Sequence, residues 1–538
     1  MSMINTGMSG MFAAQTALNV ASSNISASTI PGYTRQQVNL ATNMHGGVYV
    51  SDVRRMTDSF LTDQVRDTST AYGYSTAYYS HANQLETLVT SDGSSLSPAL
   101  TGMFGALNSA TSDPASDAAR QTVLAQASDL ASRFNTLHGS LQKQSDLAND
   151  QLGVMVDDVN SLLSDIAEIN DSIMASQTGS GVPNGLLDQR DQAMQKLSEL
   201  MDVTVDARPD GTVDIFLPQG DPLVMRGKAN QVSLNPGDPD SDRMTLSLVT
   251  DTAEKPLKTI GGSIQGVLDF QSDVIDPAMR ELGRMAVVIS DAMNTQLGAG
   301  VDLNNKPGSD LFSNINSIEA MRERVEASRE NTGSGVLEVE ISDSSKLSAD
   351  DYSLEITADG QYILTSAGKV VSKGDQRLLT TDKGVTVDGI TIKVGEGELK
   401  PGDSFGIEPT AGFSGSMDMV MESPDDLAFS GAYDTPGDNS NLLELAKLEK
   451  AHLIEGNKTL GDSWNLLVTD VGNTTAQAEG SYNATKVLHE EASSALSSVA
   501  GVNMDEEAGN LLIYQQAYQA NAKVIATAQQ LLDTVLNL

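Results

Sequence analysis

Both ends of this 538-residue chain carry apolar side chains at alternating steps of three and four residues. Near the N-terminus Ile4, Met8, Met11, Leu18 and Ile25 hold the seam, and Gln15 and Ser22 fill its remaining positions. Near the C-terminus Leu511, Tyr514, Tyr518, Asn521, Ile525, Ala528, Leu532 and Val535 run to the last turn, and Met504 extends the spacing backwards. A stripe of this period buries one side of a helix against another helix. Asp505, Glu506 and Glu507 open the C-terminal helix, where the helix dipole favours acids. Helices at chain ends fray unless docked, so these two are expected to pair. Whether the pair is purely intramolecular or also a polymerisation element is left open by the spacing alone.

The length suggests three or four domains. With 39% hydrophobic and 4% aromatic residues, the cores should be aliphatic and helical. A net charge of −39 repels phosphate backbones and anionic headgroups, so neither nucleic acid nor a membrane surface is an expected partner. With no cysteine, disulfides, thiolate zinc sites and cysteine nucleophiles are excluded. Met1 to Met11 hold neither a basic n-region nor a continuous apolar run, so no cleavable Sec signal is read there. No stretch approaches the ~20 apolar residues of a membrane span.

Between the ends, helix is expected from Asp113-Pro114 to Ser176, with a heptad through Leu152, Val156, Val159, Leu163, Ile166 and Ile173 interrupted at Asn170. A Gly/Ser/Pro/Asn loop, Gly179 to Gly185, leads to a helix ending near Met201. Residues 202–260 alternate as short strands (Val203 to Val205, Val213 to Leu217, Met244 to Val249). Helix returns from Ile264 to Gln296. A second β block spans Gly335 to Pro409, with strands at Val336–Ile341, Tyr352–Thr357, Tyr362–Thr365, Val385–Val387, Ile390–Val394 and Phe405–Ile407, separated by Asp-Gly and Pro-Gly turns. After Asn439 helix is expected to Leu538. The expected fold is mainly α with β insertions: terminal coiled-coil helices, a helical rod-like bundle, one small β subdomain and one outward antiparallel β domain. The corresponding domains are 1–60 with 480–538, 61–334 with 410–479 (β subdomain at about 202–260), and 335–409.

The run from Ala21 to Gln36, holding Asn24-Ile25-Ser26 and Pro31-Gly32-Tyr33-Thr34-Arg35-Gln36, resembles the N-terminal signature of the flagellar axial family of rod, hook and hook-associated proteins. Ile30 stands where that family usually has threonine. Gly501 to Leu512 and Tyr514 to Ile525 are similar to the family's C-terminal helix. Inside the chain, Asn184-Gly185-Leu186-Leu187-Asp188-Gln189-Arg190-Asp191, Gly300 to Asn304, Leu311-Phe312, Pro409-Thr410 and Ser416-Met417 resemble the hook-associated proteins of the first type. This resemblance implies a structural subunit at the junction of hook and filament, secreted through the flagellar type III apparatus. It implies a ring of copies, with hook protein, a second junction protein leading to the filament, and a cytosolic export chaperone as partners. The terminal seams would be the pairing and polymer surface. Asp188, Arg190 and Asp191 fit either a subunit contact or a structural ion pair or helix cap, and acids in a helix's first turn favour the latter. Alternatives are a hook or rod protein of the same family, or a secreted adhesin or surface enzyme with axial-type ends.

No catalytic, cofactor or metal site is expected. Gly402-Asp403-Ser404-Phe405-Gly406 fits G-x-S-x-G, but a nucleophile elbow needs a strand before it and a helix after it, and here a short strand follows. His452 and His489 are placed on helices. The five histidines (His45, His81, His138, His452, His489) show no ligand spacing. Gly179-Ser180-Gly181 is too short for a dinucleotide loop, and Asp238, Asp240 and Asp242 read as a solvated acidic loop, lacking the EF-hand pattern.

Overall fold

The structure, a computed structural model, describes residues 2–42, 46–91, 93, 95–176 and 183–536. Helix α1 (Ser2–Ala27) ends before Pro31-Gly32, and β1 (Gln36–Thr42) and β2 (Val48–Arg55) form an antiparallel ribbon. Helices α2 (Ser59–Thr90), α3 (Ser97–Ala110), α4 (Asp117–Ser176) and α5 (Asn184–Leu200) follow. Asp113-Pro114 form a turn rather than the expected start of α4, because the Asp113 carbonyl accepts from the Ser116 amide and the helix begins beyond it. Much of the Gly179 to Gly185 loop, like His45, lies outside the described residues.

The heptad of α4 is its core face: Leu152, Val156, Val159, Leu163, Ile166 and Ile173 are all buried. So is the interrupting Asn170, whose amide donates to the carbonyls of Val213 and Arg226 at 2.8 Å each and whose Oδ1 accepts from the Val213 amide at 3.1 Å. A buried amide without these partners would be costly; here it fastens a sheet to the helix. That sheet has the order β3 (Thr204–Ala207), β4 (Val213–Phe216), β5 (Pro222–Met225), β6 (Lys228–Ala229). Beside it lies a second, of β7 (Gln231–Pro236), β8 (Met244–Val249) and β9 (Glu254–Leu257).

Helix α6 (Gly262–Phe270) passes through one π-helical turn, Gln271–Ile275, into α7 (Asp276–Gly298). After α8 (Ile318–Glu323) and β10 (Val325–Ala327) comes the outer β block: β11 (Val336–Ile341), β12 (Tyr352–Ile356), β13 (Gln361–Ser366), β14 (Lys369–Asp375), β15 (Val385–Val387), β16 (Ile390–Glu396) and β17 (Ser404–Ile407). All pairings are antiparallel, in two sheets ordered β10-β17-β12-β13-β14 and β11-β16-β15. Period-2 alternation explains them: in β12 Tyr352, Leu354 and Ile356 point inward while Ser353 and Glu355 face water.

The chain then returns to helix in α9 (Phe413–Ser416), α10 (Ser440–Lys447), α11 (Leu460–Ala500) and α12 (Met504–Leu536). The expected continuous helix after Asn439 is broken twice. Residues 451–459, His452 among them, are irregular up to a capping box of Thr459 and Asp462 that starts α11; Gly501, Val502 and Asn503 then separate α11 from α12. Helix α11 runs without a break through residue 480, the position of the expected domain boundary.

Two hydrophobic cores result. One joins α3, the first half of α4, α7 and the outer sheets; the other joins the second half of α4, α5, α6 and the sheets of β3 to β9. Neither includes a residue of α1 or α12. The fold is mainly helical, with the long terminal helices packed together and several small antiparallel sheets.

Candidate assembly surface

Helix α1 packs along α12 in antiparallel fashion. A Cβ on Gly7 would lie 2.7 Å from Ile525 Cγ1, and one on Gly10 2.5 Å from Asn521 Oδ1, while Asn24 at the other end of α1 bonds to Glu507. The buried stripe of α1 is Gly7, Gly10, Ala14, Ala17, Ala21 and Asn24, a heptad of small residues, with Ala13 beside it. Small side chains let two helices approach closely, so the stripe in contact is the one with least bulk. The large residues of the expected seam flank it: Ile4, Met11, Leu18 and Ile25 are half-buried, as are Leu511, Tyr514, Tyr518 and Ile525. Met8 is 42% exposed, Leu532 45% and Val535 69%. These three are more exposed than the other eight. Sequence reading missed the small stripe, though its spacing of three and four residues was there to count.

Large apolar side chains cover the outside of this pair. Met3, Phe12, Leu512, Ile513, Leu531 and Leu536 are all more than half exposed. Exposed apolar surface of this kind is characteristic of interaction sites.

Below the stripe the pairing becomes polar. The Asn24 side chain donates to the Gln36 carbonyl (2.9 Å) and Glu507 Oε2 (3.2 Å), and its Oδ1 accepts from Tyr33 Oη (2.8 Å) and the Gln36 amide (3.0 Å). Buried Glu507 accepts from Arg35 Nε at 2.8 Å, and Arg35 reaches Glu506 at 2.9 Å. Burial, with the nearby charges of Asp188 and Glu507, raises the Tyr33 hydroxyl above its ordinary pKa, so it stays a donor.

The second signature segment meets the first here. On α5, Asn184 Nδ2 donates to the Val53 carbonyl at 3.0 Å. Arg55 bridges Asp188 (2.7 Å) and Asp191 (2.9 Å), and Asp188 also accepts from the Thr34 amide at 3.4 Å. Gln192 donates to the Pro31 carbonyl. Gly32 sits at φ +72°, with Gln192 so near that any Cβ would collide. Arg190 points the other way, to the Gly211 carbonyl at 2.7 Å and Asn170 Oδ1 at 3.4 Å; its burial lowers the guanidinium pKa. Asp188 and Asp191 are thus partners of Arg55 within the chain. They hinge the terminal pair to the helical body through charges rather than a shared core. Arg55→Met is expected to leave both carboxylates without their counter-ion, at a cost of about 3 kcal/mol. Hydrogen exchange at the Thr34 amide should then rise on the order of a hundredfold; an unchanged rate would show that the bridge holds nothing.

A second charged cluster clasps the outer β block to the body. Around a cavity of about 80 Å³ stand Asp240, Arg243, Asp276, Arg280, Asp351 and Glu408. Arg280 pairs with Asp351 at 2.6 Å, and Arg243 with Asp276. Glu408 has no such partner among the described residues. Burial, and then the charges of Asp351, Asp240, Glu326 and Asp276, push its carboxyl up to about 8. The neighbouring acidic loop is a clasp: Asp238 accepts from Ser328 Oγ (2.8 Å) and the Arg329 amide (3.0 Å).

Ser404 opens β17, so a strand rather than a helix directly follows it. His81 is buried against Phe270 and bonded to Gln151 at 2.9 Å, and His138 bonds to Ser414 at 3.0 Å; burial lowers the pKa of both. Among the described residues no three histidine or acidic side chains form a group that could hold a metal ion, and no helix is long and apolar enough to cross a membrane.

Comparison with known proteins agrees with this layout. The family profile described as "Flagellar hook-associated protein FlgK helical domain" matches residues 82–312, a flagella basal body rod protein profile matches 4–34, and one for the C-terminal part of flagellar basal body rod FlgEFG proteins matches 493–538. The chain is 34% identical to flagellar hook-associated protein 1 of Salmonella typhimurium and 33% to that of Escherichia coli, in each case over 100% of both chains. Its fold is that of the flagellar hook junction protein FlgK from Burkholderia pseudomallei, with a TM-score of 0.72 and 23% identity over 81% of this chain and 100% of that one. Full-length identity of this order, with the two ends paired as described, shows that the chain belongs to the flagellar hook-associated protein 1 family.

Proposed function

We propose that this chain builds the junction between hook and filament by packing its paired terminal helices against those of neighbouring copies. The role is structural and the location is extracellular, on the flagellum. The observation that carries the mechanism is the α1–α12 pair: it is closed by glycine and alanine and wears its large apolar residues outside. The assembly unit is residues 1–58 with 501–538; Arg55 ties it to the helical body with its β subdomain, and the outer β domain of 335–409 joins that body rather than the terminal pair. Hook protein meets the terminal pair on one side and a second junction protein leading to the filament on the other. Before type III export, a cytosolic chaperone covers the apolar face of α12. The terminal helices order fully only on docking, when ordering entropy is offset by burial against neighbours.

Deleting the gene should leave hooks without filaments and release flagellin monomer into the medium, as read by electron microscopy and immunoblotting of the supernatant. Normal filaments in the deletion strain would sink the junction role.

A further inference from the structure

The chain is strongly acidic, yet residues 369–383 hold four bases (Lys369, Lys373, Arg377, Lys383) against two acids (Asp375, Asp382). Strand order puts β14 at the edge of its sheet farthest from β10, with its outer side unpaired. On this edge and in the loop that follows, Lys369, Lys373 and Lys383 are exposed and make no ion pair among the described residues, beside Val370 (58% exposed), Val371 (40%) and Leu378 (48%). Lysine on a free strand edge discourages strand pairing, which accounts for the charges but not for three apolar side chains beside them.

The complementary surface lies on α4. Between Lys143 and Arg190 the sequence holds eight acids and no base. At 100° per residue Asp146, Asp150, Asp157, Glu168 and Asp171 fall within a wedge of about 60°. All five are exposed and none is in an ion pair among the described residues. Leu147 (56% exposed) and Val154 (62%) stand on the same outer side. One surface is basic with apolar residues, the other acidic with apolar residues, and β14 and α4 are not neighbours within one copy.

We propose that the β14 edge of one copy docks on the acidic outer face of α4 in the adjacent copy. This rests on the assembly of copies inferred above and assigns the outer β domain a lateral contact within it. Charge complementarity selects the partner and sets register, while Val370, Val371 and Leu378 against Leu147 and Val154 supply the buried apolar area.

Because the chain lacks cysteine, engineered pairs report cleanly. Lys373→Cys combined in turn with Asp150→Cys, Asp157→Cys or Asp165→Cys should, in oxidised hook–filament preparations, give a ladder of disulfide-linked copies that the single variants do not give. Reversing the lysines (Lys369→Glu, Lys373→Glu, Lys383→Glu) should lower filament retention under shear at least threefold. Adding Asp150→Lys, Asp157→Lys and Glu168→Lys should restore it. Filament-bearing cells whose particles show no ladder with any pair, or retention untouched by the reversal, would overturn the contact while leaving the junction role standing. Absence of the chain from wild-type hook–filament preparations would overturn the junction role itself.

Discussion

Gly10→Leu is expected to separate the terminal helices and reduce filament attachment at least tenfold. The glycine faces Asn521 so closely that a Cβ would stand 2.5 Å from its side-chain oxygen, and Gly7 has Ile525 at 2.7 Å. Asn521 is held in its rotamer by a bond from Nδ2 to the Ala517 carbonyl at 2.9 Å, so α12 itself must move outward to admit a leucine. Overpacking of this kind costs about 1–3 kcal/mol in an ordinary core. Here the opposing helix is held by small residues and by the Asn24–Glu507 network, with no large core behind it, so the same strain opens the pair. The comparison is Phe12→Ser on the exposed side, which should leave the pair intact while weakening attachment. Counting filaments per cell, with circular dichroism of the purified chains, separates the two. Wild-type filament numbers with Gly10→Leu would show that α1 and α12 need not touch in the assembled state.

Glu408→Gln should stabilise the outer β domain against the body by about 3 kcal/mol at pH 8 to 9 and by much less near pH 4.5. The sign follows from proton uptake. In the folded chain this carboxyl titrates near 8 because burial and the charges of Asp351, Asp240, Glu326 and Asp276 oppose its ionisation, whereas unfolded it titrates near the ordinary 4.5. Between those values the folded state binds more protons, so stability falls as pH rises through the window and levels off above it. Glutamine keeps the shape without the charge and removes this slope. Urea unfolding of the full chain across pH 5 to 9, followed by a label in the outer domain, measures it. A wild-type profile that is flat from 5 to 8 would mean that Arg243 and Arg280 already neutralise the clasp.

Most of the architecture is legible in periodicity because most elements are amphipathic against a core. The outer strands were read almost to the residue wherever inward and outward positions alternate, as in Val336–Ile341. Strand β14 escaped: its two valines are adjacent and both exposed, so it has no alternation to detect. The start of α4 was misplaced because Asp-Pro favours a tight turn as well as a helix N-terminus. At the terminal pair the apolar repeat named the right helices and, on α12, included Asn521 and Ile525, which meet Gly10 and Gly7; on α1 it passed over the small residues. Hydrophobicity counts bulk, while close helix packing selects for lack of it, so Met8 and Val535 drew attention that belonged to Gly7 and Ala17. The clamp of Arg55 on Asp188 and Asp191 joins residues more than 130 positions apart. Both acids could be singled out locally, but nothing local shows which arginine answers them.

A zipper toothed with methyl groups and hydrogen atoms slides and parts under small loads. On the proposed export route the chain is drawn out lengthwise through a narrow bore and regains its shape at the far end, and such weak stitching lowers the pull required at the outset. It also leaves the finished grip to be made where many chains meet, so a lone straggler holds on to nothing firmly.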